Sequence, residues 1–335
     1  MSTPIKIAIG ALGGVLVLVV LACLYVLIIH GSNLRNEEQL VYIPKGAGVS
    51  KIATLLQEKN VIGDVMHFKV AVRLFHPAST LKAGEYKILA DSSLKDVIDQ
   101  LSNGETFQRY VTIPEGLTSY QVEKRLYTDL DIKDSLSADS FVDPIEEGSL
   151  LPDTYAYSYD ESAIDVLKRM REAQTKVLDE AWENRAKDLP IKTKEEAIIL
   201  ASIIEKETAV KSETQRVAGV FVNRLKQGML LQTDPTVIYA VTQGVIEDKG
   251  QGPLGRRLLH KDLEIDSQYN TYKYAGLPPG PICNPGAEAI RAALNPEQHD
   301  YVYFVADGSG GHAFGKTLAE HNNNVAKWRK IRNQK

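Results

Sequence analysis

Two cysteines in 335 residues cannot staple a fold, since Cys23 sits inside an apolar run and Cys283 lies far downstream. A glycine-rich phosphate-binding loop is missing. Basic side chains are scattered rather than gathered into a stripe, and the net charge is −4, which argues against nucleic acid as a ligand. His312 and His321 have no third ligand at metal-binding spacing, so neither a metal nor another cofactor is expected. Charge is also absent from Ile7 to Ile29, about 23 residues that span a bilayer at helical rise.

That run ends Tyr25, Val26, Leu27, Ile28, Ile29, without the small-x-small site of a cleaved leader, so an uncleaved anchor is expected. Lys6 before it and Glu37 and Glu38 after it place the bulk of the chain outside the cytoplasm by the positive-inside rule. A polar linker covers residues 31–39.

One pattern then occurs three times, at Ile43–Leu56, Ile88–Leu101 and Ile113–Leu126. Each repeat reads as a strand end, a turn, a Ser or Thr cap and an amphipathic helix, with Ser50 as the first cap. Such units are similar to LysM-like glycan-binding modules, and equally serve as plain building blocks of an α+β domain. Turn formers and tyrosines from Leu151 to Tyr159 mark a domain junction. Helices are expected over 163–185, 194–209 and 217–225, then a loop-rich span from 228 to 285 and a strand at 301–305. The expected domains are residues 1–30 (tip and anchor), 40–150 (repeats) and 151–335 (catalytic).

Within Ala197–Thr208 two glutamates end an otherwise apolar helix. Counting back from Glu207 by three, four and seven gives Ile204, Ile203 and Leu200, so this carboxyl continues the apolar stripe. A carboxyl held against such neighbours is costly to ionise and suits a general acid at a glycosidic oxygen. The competing reading pairs Glu207 with Arg216, Arg224 or another cation. Glu205 lies above Ala201 and Ser202 and reads as a solvated or substrate-lining residue, with Lys206 pointing away from both acids.

Leu231-Gln-Thr-Asp-Pro-Thr236, Tyr269-Asn-Thr-Tyr272, Gly276-Leu-Pro-Pro-Gly-Pro-Ile282 and Asn284-Pro-Gly286 supply amides, hydroxyls and aromatic faces of the kind that bind sugars. With the Ile-Ile-Glu-Lys-Glu-Thr helix and the terminal Gly311-His-Ala-Phe314 and His321-Asn322, this order of motifs resembles the YceG-like, or MltG, family of endolytic murein transglycosylases. The resemblance covers nearly the whole chain. One departure is Glu147-Gly-Ser-Leu-Leu, where that family tends to carry aromatics after the glycine.

The resemblance implies an α+β protein with one transmembrane helix, a LysM-like subdomain and a catalytic domain with lysozyme-like features. It also implies residence in the bacterial inner membrane with the enzyme domain in the periplasm, peptidoglycan strands as substrate and peptidoglycan synthases as candidate neighbours. Its catalytic glutamate falls on the second acid of Glu-Lys-Glu, hence Glu207. Gln232, Asn270 and Tyr272 are the candidates for positioning sugar, with Thr233 and Asp234 shaping the loop. A hydrolase that admits water, and a noncatalytic glycan-binding scaffold, remain open at this level.

Overall fold

A computed structural model describes residues 14, 16–21, 23–25, 37–75, 81–129, 145–245 and 254–334. Much of the expected anchor, residues 7–29, lies outside the described residues. Those described between 14 and 25 are helical, and no helix among the described residues is long and apolar enough to cross a membrane. The chain divides into two compact units, residues 1–109 with 156–160, and residues 110–155 with 161–335.

In the first unit, β1 (Gln39–Ile43) pairs antiparallel with β2 (Gly84–Ile88), Val41 opposite Tyr86. Strand periodicity sends Val41, Ile43, Tyr86 and Ile88 to one buried face. There they meet α1 (Val49–Glu58), α2 (Val65–Phe75) and α3 (Leu94–Asn103), whose buried residues form one core with them. α3 buries Leu94, Val97, Ile98 and Leu101, the spacing of a single helical face. Ser93 caps it reciprocally with Asp96. The expected cap at Ser50 is not made: α1 begins after Gly48, and Ser50 lies inside the helix, its carbonyl accepting from the Thr54 hydroxyl. Glu85, buried beside this sheet, is gripped by Arg109 through two bonds of 2.8 and 3.0 Å, the geometry a planar guanidinium favours.

The third repeat belongs to the second unit. β3 (Arg109–Thr112) forms a two-stranded sheet with β4 (Thr154–Tyr157), and α4 (Ser119–Asp129) follows the turn. Thr118 and Gln121 cap α4, Thr118 Oγ1 accepting from Gln121 N at 3.3 Å and Gln121 Oε1 from Thr118 N at 2.8 Å. The core is built on α6 (Lys194–Glu207), packed with α7 (Thr214–Lys226) and α9 (Ala287–Leu294), the last also meeting α5 (Ala163–Glu183). All eight residues from Ala197 to Ile204 are buried, so α6 is covered on every side rather than along one stripe. Burial of each Ile or Leu there is worth roughly 1.5–3 kcal/mol, which makes α6 a rigid base for the residues at its end.

The span expected to be loop contains a further helix, α8 (Asp234–Thr242), with Pro235 in its first turn and a left-handed residue, Gln243, at its end. β5 (Tyr303–Ala306) and β6 (His312–Gly315) form a hairpin with Phe304 opposite Phe314. Against it packs α10 (Leu318–Gln334). Mixed helices and small sheets make this an α+β protein.

Candidate active site

Glu207 is the last residue of α6. Its Oε1 accepts from Thr233 Oγ1 at 2.5 Å. Thr233 is buried and fixed from behind, its backbone N–H donating to Thr271 Oγ1 at 3.1 Å and its carbonyl accepting from Thr236 Oγ1 at 2.8 Å. Glu207 keeps a strip of accessible surface, yet enough protein surrounds the carboxyl for burial to push it above the usual carboxylate range. The Thr233 bond opposes the rise, the charge of Asp234 adds to it, and His312 and Arg224 pull it back. Such an environment favours the protonated acid while leaving one edge open.

Neither proposed ion-pair partner neutralises Glu207. Arg216 is engaged by Glu297, its Nε 3.0 Å from Oε1. Arg224 is buried, donating from Nε to Val302 O at 2.7 Å and from Nη1 to Leu231 O at 2.6 Å.

The other candidates divide into two groups. Tyr272 OH donates to Asp234 Oδ1 at 2.6 Å, and burial, followed by this bond, holds the phenol's pKa up so that it stays protonated. Asp234 and Gln232 are exposed beside Thr233, with Gln232 in the left-handed region at φ 49°. Asn270 differs: it is fully buried, both amide bonds go to the carbonyls of Leu263 and Ile265, and its Oδ1 accepts from Tyr272 N. No polar edge of Asn270 is left for a sugar, so the expectation of a direct contact gives way to a role in placing Tyr272.

Glu205, expected to be solvated or substrate-lining, is half-buried and tied down. Its Oε2 accepts from Gly286 N at 2.9 Å at the start of α9, and burial, partly offset by that bond, raises its pKa too. Lys206 is exposed, donating from Nζ to Gly116 O at 3.1 Å. Because glutamine can still accept from Gly286 N, Glu205→Gln is expected to lower turnover by less than about tenfold, a loss below about 1.4 kcal/mol. Steady-state rates on isolated glycan strands check this; an inactive Glu205→Gln beside an active Glu207 variant would mean that the acids are assigned the wrong way round.

Three features near the acid had no part in the site expected from sequence: Arg224, considered only as an ion-pair partner, Tyr303, and the pairing of Glu213 with His312. Arg224 lies over the Tyr303 ring at 5.6 Å, and that ring stacks on His321 at 5.1 Å. Glu213 Oε2 sits 2.7 Å from His312 Nδ1 while Oε1 accepts from His312 N at 3.1 Å. For Arg224 a signal existed. Counting back by three, four and seven gives Phe221, Val220 and Val217, all buried, the same stripe rule that selects Glu207.

A cavity of about 1290 Å³ among the described residues does not contain Glu207. It runs past Ser149, Gln174 and Pro281 beside Ile198 and Ile199, near the opposite end of α6, and its rim carries exposed charges such as Arg171 and Glu195. Chemistry rather than volume therefore selects the candidate site.

A family model described as the YceG-like family matches residues 41–327. The chain belongs to the YceG-like family. It is 35% identical over 322 residues to a Bacillus subtilis protein named endolytic murein transglycosylase, covering 88% of this chain and 86% of that one. A Streptococcus pneumoniae protein of the same name is 29% identical over 330 residues, 85% of this chain but 57% of the longer relative. The crystal structure of a yceG-like protein from Listeria monocytogenes superposes with a TM-score of 0.51 at 33% identity, covering 86% of this chain and 98% of that one. The YceG-like match spans both compact units, from β1 to within α10.

Proposed function

We propose that this chain is an endolytic murein transglycosylase, a lyase that cuts glycan strands of peptidoglycan between N-acetylmuramic acid and N-acetylglucosamine, with Glu207 as the single acid and base. The observation that carries the reading is a protonatable carboxyl at the end of a buried helix, held by Thr233 and in no ion pair among the described residues, in a YceG-like chain whose relatives bear that name. In the first step Glu207 gives its proton to the glycosidic oxygen, and the electron pair of the breaking C1–O bond leaves with that oxygen. The substrate's own 2-acetamido group assists at C1, so a second enzymic carboxylate is dispensable. In the second step the Glu207 carboxylate takes the proton of the muramoyl C6 hydroxyl as O6 closes on C1. The product end is 1,6-anhydro-muramic acid, no water is consumed, and Glu207 returns to its starting state.

In this scheme Asp234 serves Tyr272 rather than C1. Thr233 sets the carboxyl's orientation, Gln232 and Tyr272 offer polar groups to the sugar, and Asn270 fixes the Tyr272 backbone. The charge-free run from Ile7 to Ile29 supports tethering at the membrane that nascent strands leave, with the catalytic unit outside the cytoplasm.

Incubated with long uncrosslinked strands, the purified protein is expected to release first a spread of intermediate lengths, each with an anhydro end by mass spectrometry. Ends heavier by one water would identify a muramidase. Disaccharides alone at the earliest times would identify an exolytic enzyme.

A further inference from the structure

A buried guanidinium needs compensation, because removing its charge from water costs several kcal/mol unless an opposite charge or hydrogen bonds replace the solvent. Arg224, only 8% exposed, has two such bonds, to Val302 O and Leu231 O, and forms no ion pair among the described residues. The groups in its field are the Tyr303 ring, the Tyr272 phenol, His321 and one carboxyl, that of Glu207. Facing Glu207 in turn are Thr233 and Asp234 from the start of α8, Tyr272 from the following loop, His312 from β6 with its own partner Glu213, and Arg224 from α7. His312 already has a carboxylate of its own at 2.7 Å; Arg224 does not. Its two backbone bonds also join the segment leading into β5 to the turn that presents Gln232 and Thr233.

We propose that Arg224 is a positioning residue of the reaction, its buried guanidinium supplying the counter-charge to the carboxylate that Glu207 becomes once its proton has gone to the leaving oxygen. The proposal rests on the reading of Glu207 as the acid and base. In the proposed resting enzyme Glu207 is protonated, and Arg224 is held by two carbonyls and the Tyr303 ring. After the first step the site holds one cation and one anion, and the carboxylate persists long enough to accept the C6 hydroxyl proton. Without the cation the acid holds its proton more tightly, and the first step is the one that suffers.

The test uses Arg224→Gln, whose amide can still reach a backbone carbonyl, and Arg224→Lys, which keeps the charge. In pH profiles of kcat/KM on isolated strands, Arg224→Gln is expected to move the upper limb to higher pH by about one unit or more, a tenfold change in proton affinity. Its plateau kcat should fall about tenfold, while Arg224→Lys keeps the limb near the wild-type position. A lower rate with an unmoved limb would overturn the proposal and leave Arg224 as a structural clamp. If Arg224→Gln fails to fold at a pH above the upper limb, where Glu207 is ionised, the double variant Glu207→Gln with Arg224→Gln decides: folding restored by removing the uncompensated carboxylate supports the pairing, and failure in both backgrounds overturns it. A melting-temperature cycle at that pH across the wild type, Glu207→Gln, Arg224→Gln and the double variant reads the same coupling without activity, so it stands even if the wild-type protein proves not to be a transglycosylase.

Discussion

Glu207→Gln is expected to fold as the wild type does and to lose at least about a hundredfold in turnover on isolated strands, the scale of removing a general acid. Glutamine has nearly the same shape, and its amide oxygen can still accept from Thr233 Oγ1, so the bond that orients the carboxyl survives while the proton does not. Near-normal turnover would sink the assignment. The same variant carries a signature in stability. Burial raises the folded pKa of Glu207 above its unfolded value, so the carboxyl's contribution is intact below about pH 4.5 and is lost as pH rises through the folded pKa. Glutamine carries no such penalty. The melting temperature of Glu207→Gln should therefore gain on the wild type from about pH 4.5 towards pH 8; a constant difference over that range would show that the pKa is not raised.

The route to Glu207 was legible because helical periodicity places it over Leu200, Ile203 and Ile204, all of them buried. The same argument did not foresee the anchor of Glu205. It assumed a helix with one covered face, and α6 is covered all round, so Glu205 on the far face is half-buried and bonded to Gly286 N at the start of α9. Repeat patterning located the helices 49–58, 94–103 and 119–129, since each carries its own apolar stripe and turn. The repeat's shared grammar hid that the third copy packs with the catalytic unit, a choice made by long-range bonds that local pattern does not encode. Asn270 shows a related limit. An amide in a sugar-like motif has the right chemistry for a ligand, and only the fold reveals that Leu263, Ile265 and Tyr272 have used it up. α8 was missed for a local reason: its nine residues begin at Asp-Pro inside a span dense in turn formers, and the proline that reads as a breaker is here in the first turn.

The long-range bonds converge on Asn284, and its replacement carries the second large effect. The residue is fully buried. Its Oδ1 accepts from Leu150 N at 2.9 Å, and its Nδ2 donates to Leu117 O and to Ser119 Oγ, each at 3.1 Å. Its own backbone completes the junction, N–H to Leu117 O at 2.8 Å and carbonyl from Gly116 N at 3.1 Å. Gly116 in turn accepts from Lys206, one residue before the acid. Asn284→Ala leaves the backbone bonds but orphans the Leu150 N–H and opens a small void. An orphaned buried donor costs about 1–3 kcal/mol, and with the lost Leu117 and Ser119 bonds a total of about 3 kcal/mol is expected. For a unit of this size that lowers the melting temperature by roughly 6–12 °C. Asn284→Asp separates the contributions. Aspartate keeps the acceptor for Leu150 N but loses both donors and sets a second carboxylate beside Glu147, whose Oε1 lies 3.4 Å from the native amide nitrogen. That variant should be destabilised most at neutral pH and recover as acid protonates one of the two. If Asn284→Ala instead melts like the wild type and loses its turnover, Asn284 acts on the sugar directly and the third repeat is held to the acid-bearing core by something else.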